Sequence, residues 1–163
     1  MRRTSTIRRE RKEPSPPAGG RAHSSAAEMR RLYAAYRANR EPSDDEILRL
    51  IDRGLAVTAI DELRAIGFSN VEIDDLAIPA RTERHRRDRG QNLTHPESER
   101  VVRLLRLRAL AERAFNDRAK ADAWLRDPLS ILDGRSPLSL ARNEFGARHV
   151  ETLLAKIEWG AAA

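Results

Sequence analysis

Two sets of residues in this chain have types that could do chemistry: four histidines, His23, His85, His95 and His149, and a run of arginines, Arg81, Arg84, Arg86, Arg87 and Arg89, with Thr82 among them. The histidines stand too far apart for metal-ligand spacing. There is no cysteine, which removes disulfides, thiol nucleophiles and thiolate-bound zinc, and no glycine-rich phosphate loop or nucleophile motif occurs. No catalytic group, cofactor or metal is therefore expected. The arginines differ, because on one helix Arg81, Thr82, Arg84, Arg86 and Arg87 can reach phosphate oxygens and guanine edges in a major groove. Residues 41–78, however, hold 10 acidic groups against 3 basic ones, and 79–90 hold 5 arginines against Glu83 and Asp88. The run reads either as a DNA-contacting helix or as one half of intramolecular ion pairs.

The formal charge of +6 does not decide between these readings. Residues 1–40 hold 11 basic groups against 3 acidic, a net of +8, and the rest of the chain is −2. The basicity belongs to the tail.

Helices must position these groups. Of the 163 residues, 40% are hydrophobic and only 4% aromatic, so Leu, Ala, Ile and Val fill the core. Good helix formers are abundant and no stretch resembles a strand pair, which predicts an all-α fold. Residues 1–27, with Pro14, Pro16, Pro17, Gly19 and Gly20, read as a disordered basic arm. From Glu28 to Arg40, Met29, Leu32, Tyr33 and Tyr36 share one stripe of a short helix that needs a partner to fold. The arm and this helix make up a segment 1–42.

A second segment, 43–92, opens at Ser43, whose spacing to Glu46 predicts a capping box, with Gly54 as the helix stop. Val57, Ile60 and Leu63 mark the next helix, closed by Gly67. Ser69 and Glu72 form another capping box ahead of Ile73, Leu76 and Ala77, and Pro79 opens a helix over 80–89. The short turn between the last two predicts a helix-turn-helix with the arginine run on its second helix. Glu83 stands where such motifs bury an apolar residue.

The third segment, 93–163, opens at Thr94, which caps back to Glu97 with Pro96 in the first turn. Val101, Leu104, Leu105, Leu107, Ala111, Ala114 and Phe115 recur at threes and fours, leaving Arg100, Arg103, Arg106 and Arg113 for a solvated face. Asp117 caps a helix that holds Trp124 as core anchor and ends before Pro128. Asp133-Gly134 makes a turn, and Ser136-Pro137 starts a helix through Phe145 that Gly146 closes. The last helix carries Val150, Leu153, Leu154 and Ile157, and ends at Trp159-Gly160. So near the end, Trp159 reads either as a partner contact or as core packing.

The frame formed by Glu97-Ser98-Glu99-Arg100, Phe115-Asn116-Asp117, Ala123-Trp124-Leu125, Pro128, Leu132-Asp133-Gly134-Arg135-Ser136-Pro137-Leu138, Gly146, Val150, Leu153 and Ile157 to Gly160 resembles the Xre/MbcA/ParS-type antitoxins. The resemblance runs over about residues 44–160, and Arg81-Thr82 with Arg86-Arg87 fits that family's Xre-like portion. It departs at Asn116, where the family commonly has glycine, and in the arm before Ser43. The resemblance implies a helix-turn-helix portion followed by a C-terminal helical toxin-binding domain, and a partner toxin of the RES fold that consumes NAD and is encoded alongside. It implies a type II antitoxin whose C-terminal helices cover the toxin's active-site entrance, forming homo-oligomers and hetero-oligomers with toxin, and also repressing its own operon by binding operator DNA.

Val150, Leu154, Ile157, Trp159 and Gly160 are the expected toxin-facing residues. The rival reading is a stand-alone helix-turn-helix regulator without a toxin. No membrane span or secretory signal is expected, and the location expected is cytoplasmic.

Overall fold

Among the described residues, six of the helices start where a short polar side chain at the N-cap accepts from a free first-turn amide. The computed structural model describes residues 19–160, with side chains from Ser25 onward. The basic segment 1–18 expected to be disordered, and Ala161 to Ala163, lie outside the described residues. The helices are α1 Gly19–Arg37, α2 Asp44–Asp52, α3 Ala59–Ala65, α4 Asn70–Leu76, α5 Ala80–Asp88, α6 His95–Phe115, α7 Arg118–Arg126, α8 Pro137–Leu140 and α9 Glu144–Glu158, with one 3-10 turn, Ser130–Leu132. Among the described residues there is no strand, only two isolated bridges, Ala56 with Asn92 and Leu129 with Arg135. The chain is all-α.

Ser69 and Glu72 make both halves of a capping box, as do Thr94 and Glu97. Asp117 accepts from the Lys120 amide, and Ser136 from that of Ser139, with Pro137 in the first turn. The box expected at Ser43 is half-made: Ser43 accepts from the Glu46 amide, but the Glu46 carboxylate pairs with Arg31 of α1 instead of reaching back. Asn116 takes the left-handed conformation at φ 48°, the C-terminal role usually filled by glycine, and next to glycine Asn adopts it most readily. The departure at Asn116 is therefore conservative.

The 21-residue α6 is the axis of the molecule. It is packed by α1, α2, α3, α7 and α9, and one continuous cluster of buried residues runs from Met29 of α1 to Leu154 of α9. Two expectations change here. First, α1 begins at Gly19, not Glu28, and its stripe of Met29, Leu32 and Tyr36 is inserted into this core. Its register is fixed by pairs from Glu28 to Arg53 and Arg30 to Glu62, and by the Ala56 amide donating to Ser25 Oγ at 3.1 Å. The partner that so short a helix needs is its own chain.

Second, the arginine face of α6 is not solvated. Arg103 is buried, donating from Nε to Glu144 at 3.2 Å and from Nη1 to the carbonyls of Ala141 and Arg142. Arg106 reaches Glu151 at 2.7 Å and Glu144 at 3.1 Å, Arg113 reaches Glu158 at 2.9 Å, and Arg100 donates to the Ala77 carbonyl at 2.7 Å. Arg108, at 1% exposure, is held by Glu112 at 2.9 Å and by Asp122 of α7. Because α6 is covered on all sides, each guanidinium needs a partner within the protein. Beside Arg108, burial and a hydrogen bond to Glu112 push the Tyr33 phenol up to about 12.

The expected single helix from Leu138 to Phe145 is interrupted. α8 ends at Leu140, Asn143 accepts from the Gly146 amide at 2.9 Å and starts α9, and Gly146 lies inside α9 instead of closing a helix. A β-carbon at Gly146 would lie 1.9 Å from the Leu140 carbonyl oxygen. Glycine is there because two backbones meet. Trp124 is half-buried against Phe115, with ring centroids 5.6 Å apart, while Ala121 and Leu125 are the fully buried residues of α7.

Gly146→Ala is expected to lower stability by roughly 1–3 kcal/mol, the usual cost of forcing an extra carbon into a packed site. In urea unfolding followed by circular dichroism, the midpoint should fall well below that of Gly134→Ala, whose added carbon meets nothing within 4 Å although its φ of +75° carries some strain.

Candidate functional site

The histidines singled out from the sequence are not brought together among the described residues. His85, His95 and His149 sit apart, His95 lying 3.2 Å from Asp52, and among the described residues no group of three or more His, Asp or Glu could hold a metal. The surfaces that remain are the arginine helix α5 and the C-terminal face.

On α5, buried Glu83 decides which arginines are free. Its carboxylate accepts from Arg64 Nη1 at 3.0 Å and Nη2 at 2.8 Å, and from Arg87 at 2.9 Å, while Arg87 also donates twice to Asp61 at 3.0 Å. Arg86 donates from Nη2 to Glu97 at 3.0 Å; its Nε lies 2.8 Å from the other oxygen but is poorly aligned with it. Of the expected DNA contacts, Arg86 and Arg87 are thus committed to Asp61, Glu83 and Glu97. Arg81 and Arg84 are exposed and form no ion pair among the described residues, and Thr82 is half-buried beside them. The polar residue at an apolar position is accommodated because two guanidinium groups neutralise it.

The C-terminal face is sorted by charge. Glu144, Glu151 and Glu158, seven residues apart on α9, meet Arg103 and Arg106, then Arg106, then Arg113 in order along α6. The two helices therefore run parallel, and the acids of α9 point inward. Arg148, His149, Thr152 and Lys156 are left outside. Of the expected toxin-facing residues, Val150 and Leu154 belong to the chain's own core, at 0% and 2% exposure, and cannot face a partner unless the domain opens. Ile157 is half-buried. Trp159 is 86% exposed, and Gly160 beside it is open, in the left-handed region at φ 69°.

The sequence reading missed Phe145, 88% exposed, and Ile131, 70% exposed. They border a groove of about 710 Å³ also lined by Leu140, Arg135, Arg142 and His149. A legible signal existed: Asn143, three residues before Gly146, is a helix N-cap and would have placed Phe145 at the start of α9.

Exposed aromatic side chains on an all-helical scaffold, Trp159 and Phe145 here, are features of a binding surface. The family described as the antitoxin Xre/MbcA/ParS C-terminal toxin-binding domain matches residues 110–160. Antitoxin Xre of Pseudomonas putida is 34% identical over 130 residues, covering 80% of this chain and 82% of the relative. Antitoxin Xre of Yersinia enterocolitica is 34% identical over 113 residues (68% of this chain, 76% of the relative), and that of Photorhabdus laumondii is 32% identical over 114 (68% and 77%). The chain belongs to the Xre/MbcA/ParS antitoxin family, and is the antitoxin of a toxin-antitoxin pair. Among the described residues no helix is long and apolar enough to cross a membrane.

The ion pairs set an acid limit. For Glu72, Glu83, Glu97, Asp122 and Glu144, burial pushes the carboxyl up, but hydrogen bonds from arginine, with capping amides at Glu72 and Glu97, outweigh it and leave each below its ordinary 4.5, or 3.8 for Asp. A depressed folded value means the unfolded chain binds more protons, so the stability these groups contribute is present above the ordinary value and lost as pH falls through the folded one. Glu151, pushed up by burial, works the other way: its contribution is present at low pH and lost as pH rises through its folded value. Five outweigh one. The melting temperature should stay level near neutrality and drop as pH falls below the ordinary glutamate value of 4.5. Glu83→Gln should cost about 2 kcal/mol at neutral pH, less than a fully buried pair because Arg64 and Arg87 remain partly exposed, and should flatten part of the acid slope in calorimetry.

Proposed function

We propose that this antitoxin neutralises a RES-domain, NAD-degrading toxin encoded beside it, by covering the toxin's active-site entrance with the end of α9. The observation that carries this reading is Trp159: a tryptophan 86% exposed at the tip of an ordered helix, beside half-buried Ile157 and open Gly160, gains most of its burial only against a partner. Segment 93–163 then serves as the toxin-binding domain and 43–92 as the helix-turn-helix domain, with α1 of the N-terminal arm bracing both against α6. Inhibition of this kind needs no chemistry, only exclusion of water and substrate. The reading implies work in the cytoplasm and a hetero-oligomer with toxin.

Operator DNA is the second partner proposed, through Arg81, Thr82 and Arg84, with the antitoxin as a homo-oligomer repressing its own operon. Exposed arginines with no ion pair among the described residues favour it. A stand-alone regulator without a toxin has no observation in its favour, since the relatives described are named as antitoxins.

Co-expression with the adjacent gene product is expected to restore growth and cellular NAD and to give a co-purifying complex. Trp159→Ala should abolish rescue without changing helicity; full rescue by that variant would sink the occlusion reading. In fluorescence anisotropy on the gene's own promoter fragment, Arg81→Ala and Arg84→Ala should each weaken binding and lower the salt slope by about one. Equal binding by wild type and both variants would remove α5 from the DNA contact.

A further inference from the structure

The outer face of α9 presents Phe145, His149, Thr152, Lys156 and Trp159, spaced by four, three, four and three, so they fall on one strip of the helix. At 1.5 Å per residue the two exposed aromatics lie ~21 Å apart, at opposite ends of that strip. Trp159 caps the C-terminal end of the helix. Phe145 instead forms one wall of the groove that Ile131 closes from the 3-10 turn, with Arg135, Arg142 and His149 around it.

We propose that this groove is a separate affinity anchor for the toxin, seating an apolar side chain flanked by carboxylates on the toxin's surface, while the Trp159 tip occludes. The proposal rests on the antitoxin reading and assigns different tasks to the two ends of one strip.

Three observations argue for such an occupant. Ile131 and Phe145, at 70% and 88% exposure, both line one concave site, the setting in which an exposed apolar side chain marks recognition. The groove is continuous with the tip along a single rigid helix, so a toxin lying on the strip meets both.

The third is charge. The acids of α9 are drawn inward to Arg103, Arg106 and Arg113, leaving Arg148, His149 and Lys156 outward; Arg148 touches Glu144 at 3.3 Å yet stays 72% exposed. Around the groove, Arg142 reaches Asp75, and Asp133 is the acid present, 3.7 Å from Arg135. A second copy of this chain would bring the same cationic strip against itself, which like-charge repulsion disfavours, whereas a toxin surface bearing carboxylates complements it.

The test is surface plasmon resonance of the full-length antitoxin against the purified adjacent-gene product, alongside growth rescue in co-expression. Ile131→Ser/Phe145→Ser should raise the dissociation rate at least about 30-fold, within the range of hot-spot truncations, yet still rescue growth when the antitoxin is overproduced. Trp159→Ala should raise the dissociation rate less than the Ile131/Phe145 variant does and yet fail to rescue. Lys156→Glu should slow association at low salt and lose that defect at high salt. All substituted side chains are exposed, so unchanged circular dichroism and melting temperature are expected, and binding is read against them.

Wild-type dissociation by the Ile131/Phe145 variant, or loss of growth rescue by it even on overproduction, overturns the anchor. So does sedimentation that shows wild type as a dimer and this variant as a monomer, since the groove would then be a contact between copies. No binding by wild type itself would overturn the toxin-partner reading, an outcome distinct from failure of the groove alone.

Discussion

A guanidinium group taken out of water must be paired, and α6 carries five arginines through the middle of the protein. Arg100, Arg103, Arg106, Arg108 and Arg113 each find an oxygen partner: a carbonyl for Arg100, carboxylates for the rest. Leaving such a group unpaired in a covered site costs several kcal/mol, more than most single apolar contacts return. The placement of the other helices follows. α9 must run parallel to α6 so that Glu144, Glu151 and Glu158 meet these arginines in order, and α7 must present Asp122 to Arg108. Apolar burial holds the bundle together, but charge pairing sets which helix face turns in.

The same sorting determines what the protein offers to partners. In α5, Glu83 draws Arg64 and Arg87 into an internal cluster, and Glu97 takes Arg86, so that only Arg81 and Arg84 of the expected arginine contacts remain outward. In α9 the acids go inward and the cations, with two aromatics, stay out. Both surfaces are remainders left after internal pairing. Being carried on formed helices, they are preorganised, and association need not pay to order them.

Much of this was legible in the sequence, and the legible parts are local. Ser69 with Glu72, Thr94 with Glu97, Asp117, Ser136-Pro137 and the stop before Pro128 act over three or four residues, so helix starts and ends could be read without knowing what surrounds them. The residues of the antitoxin frame from Glu97 to Gly160 likewise carried the family. Trp159 was legible only in part: the sequence left partner contact and core packing both open, and the structure places the ring 86% exposed.

Tertiary structure alone decided what depends on a neighbour. The stripe Met29, Leu32 and Tyr36 became core because α6 lay beside it; no property of a short helix flanked by arginines announces that. The arginines of α6 have the spacing of a solvated face and turned out covered, since periodicity reports which side of a helix is polar and not whether another helix packs there. Val150 and Leu154 had the right chemistry for a contact surface and went to the core, whereas Phe145 and Ile131 stayed outside. Gly146 looked like a helix stop and is instead the point where α9 crosses the Leu140 carbonyl. The sequence by itself determined the helices and the family; burial, which is a relation between segments distant in the chain, assigned each helix face to the core, an internal ion pair or the surface open to a partner.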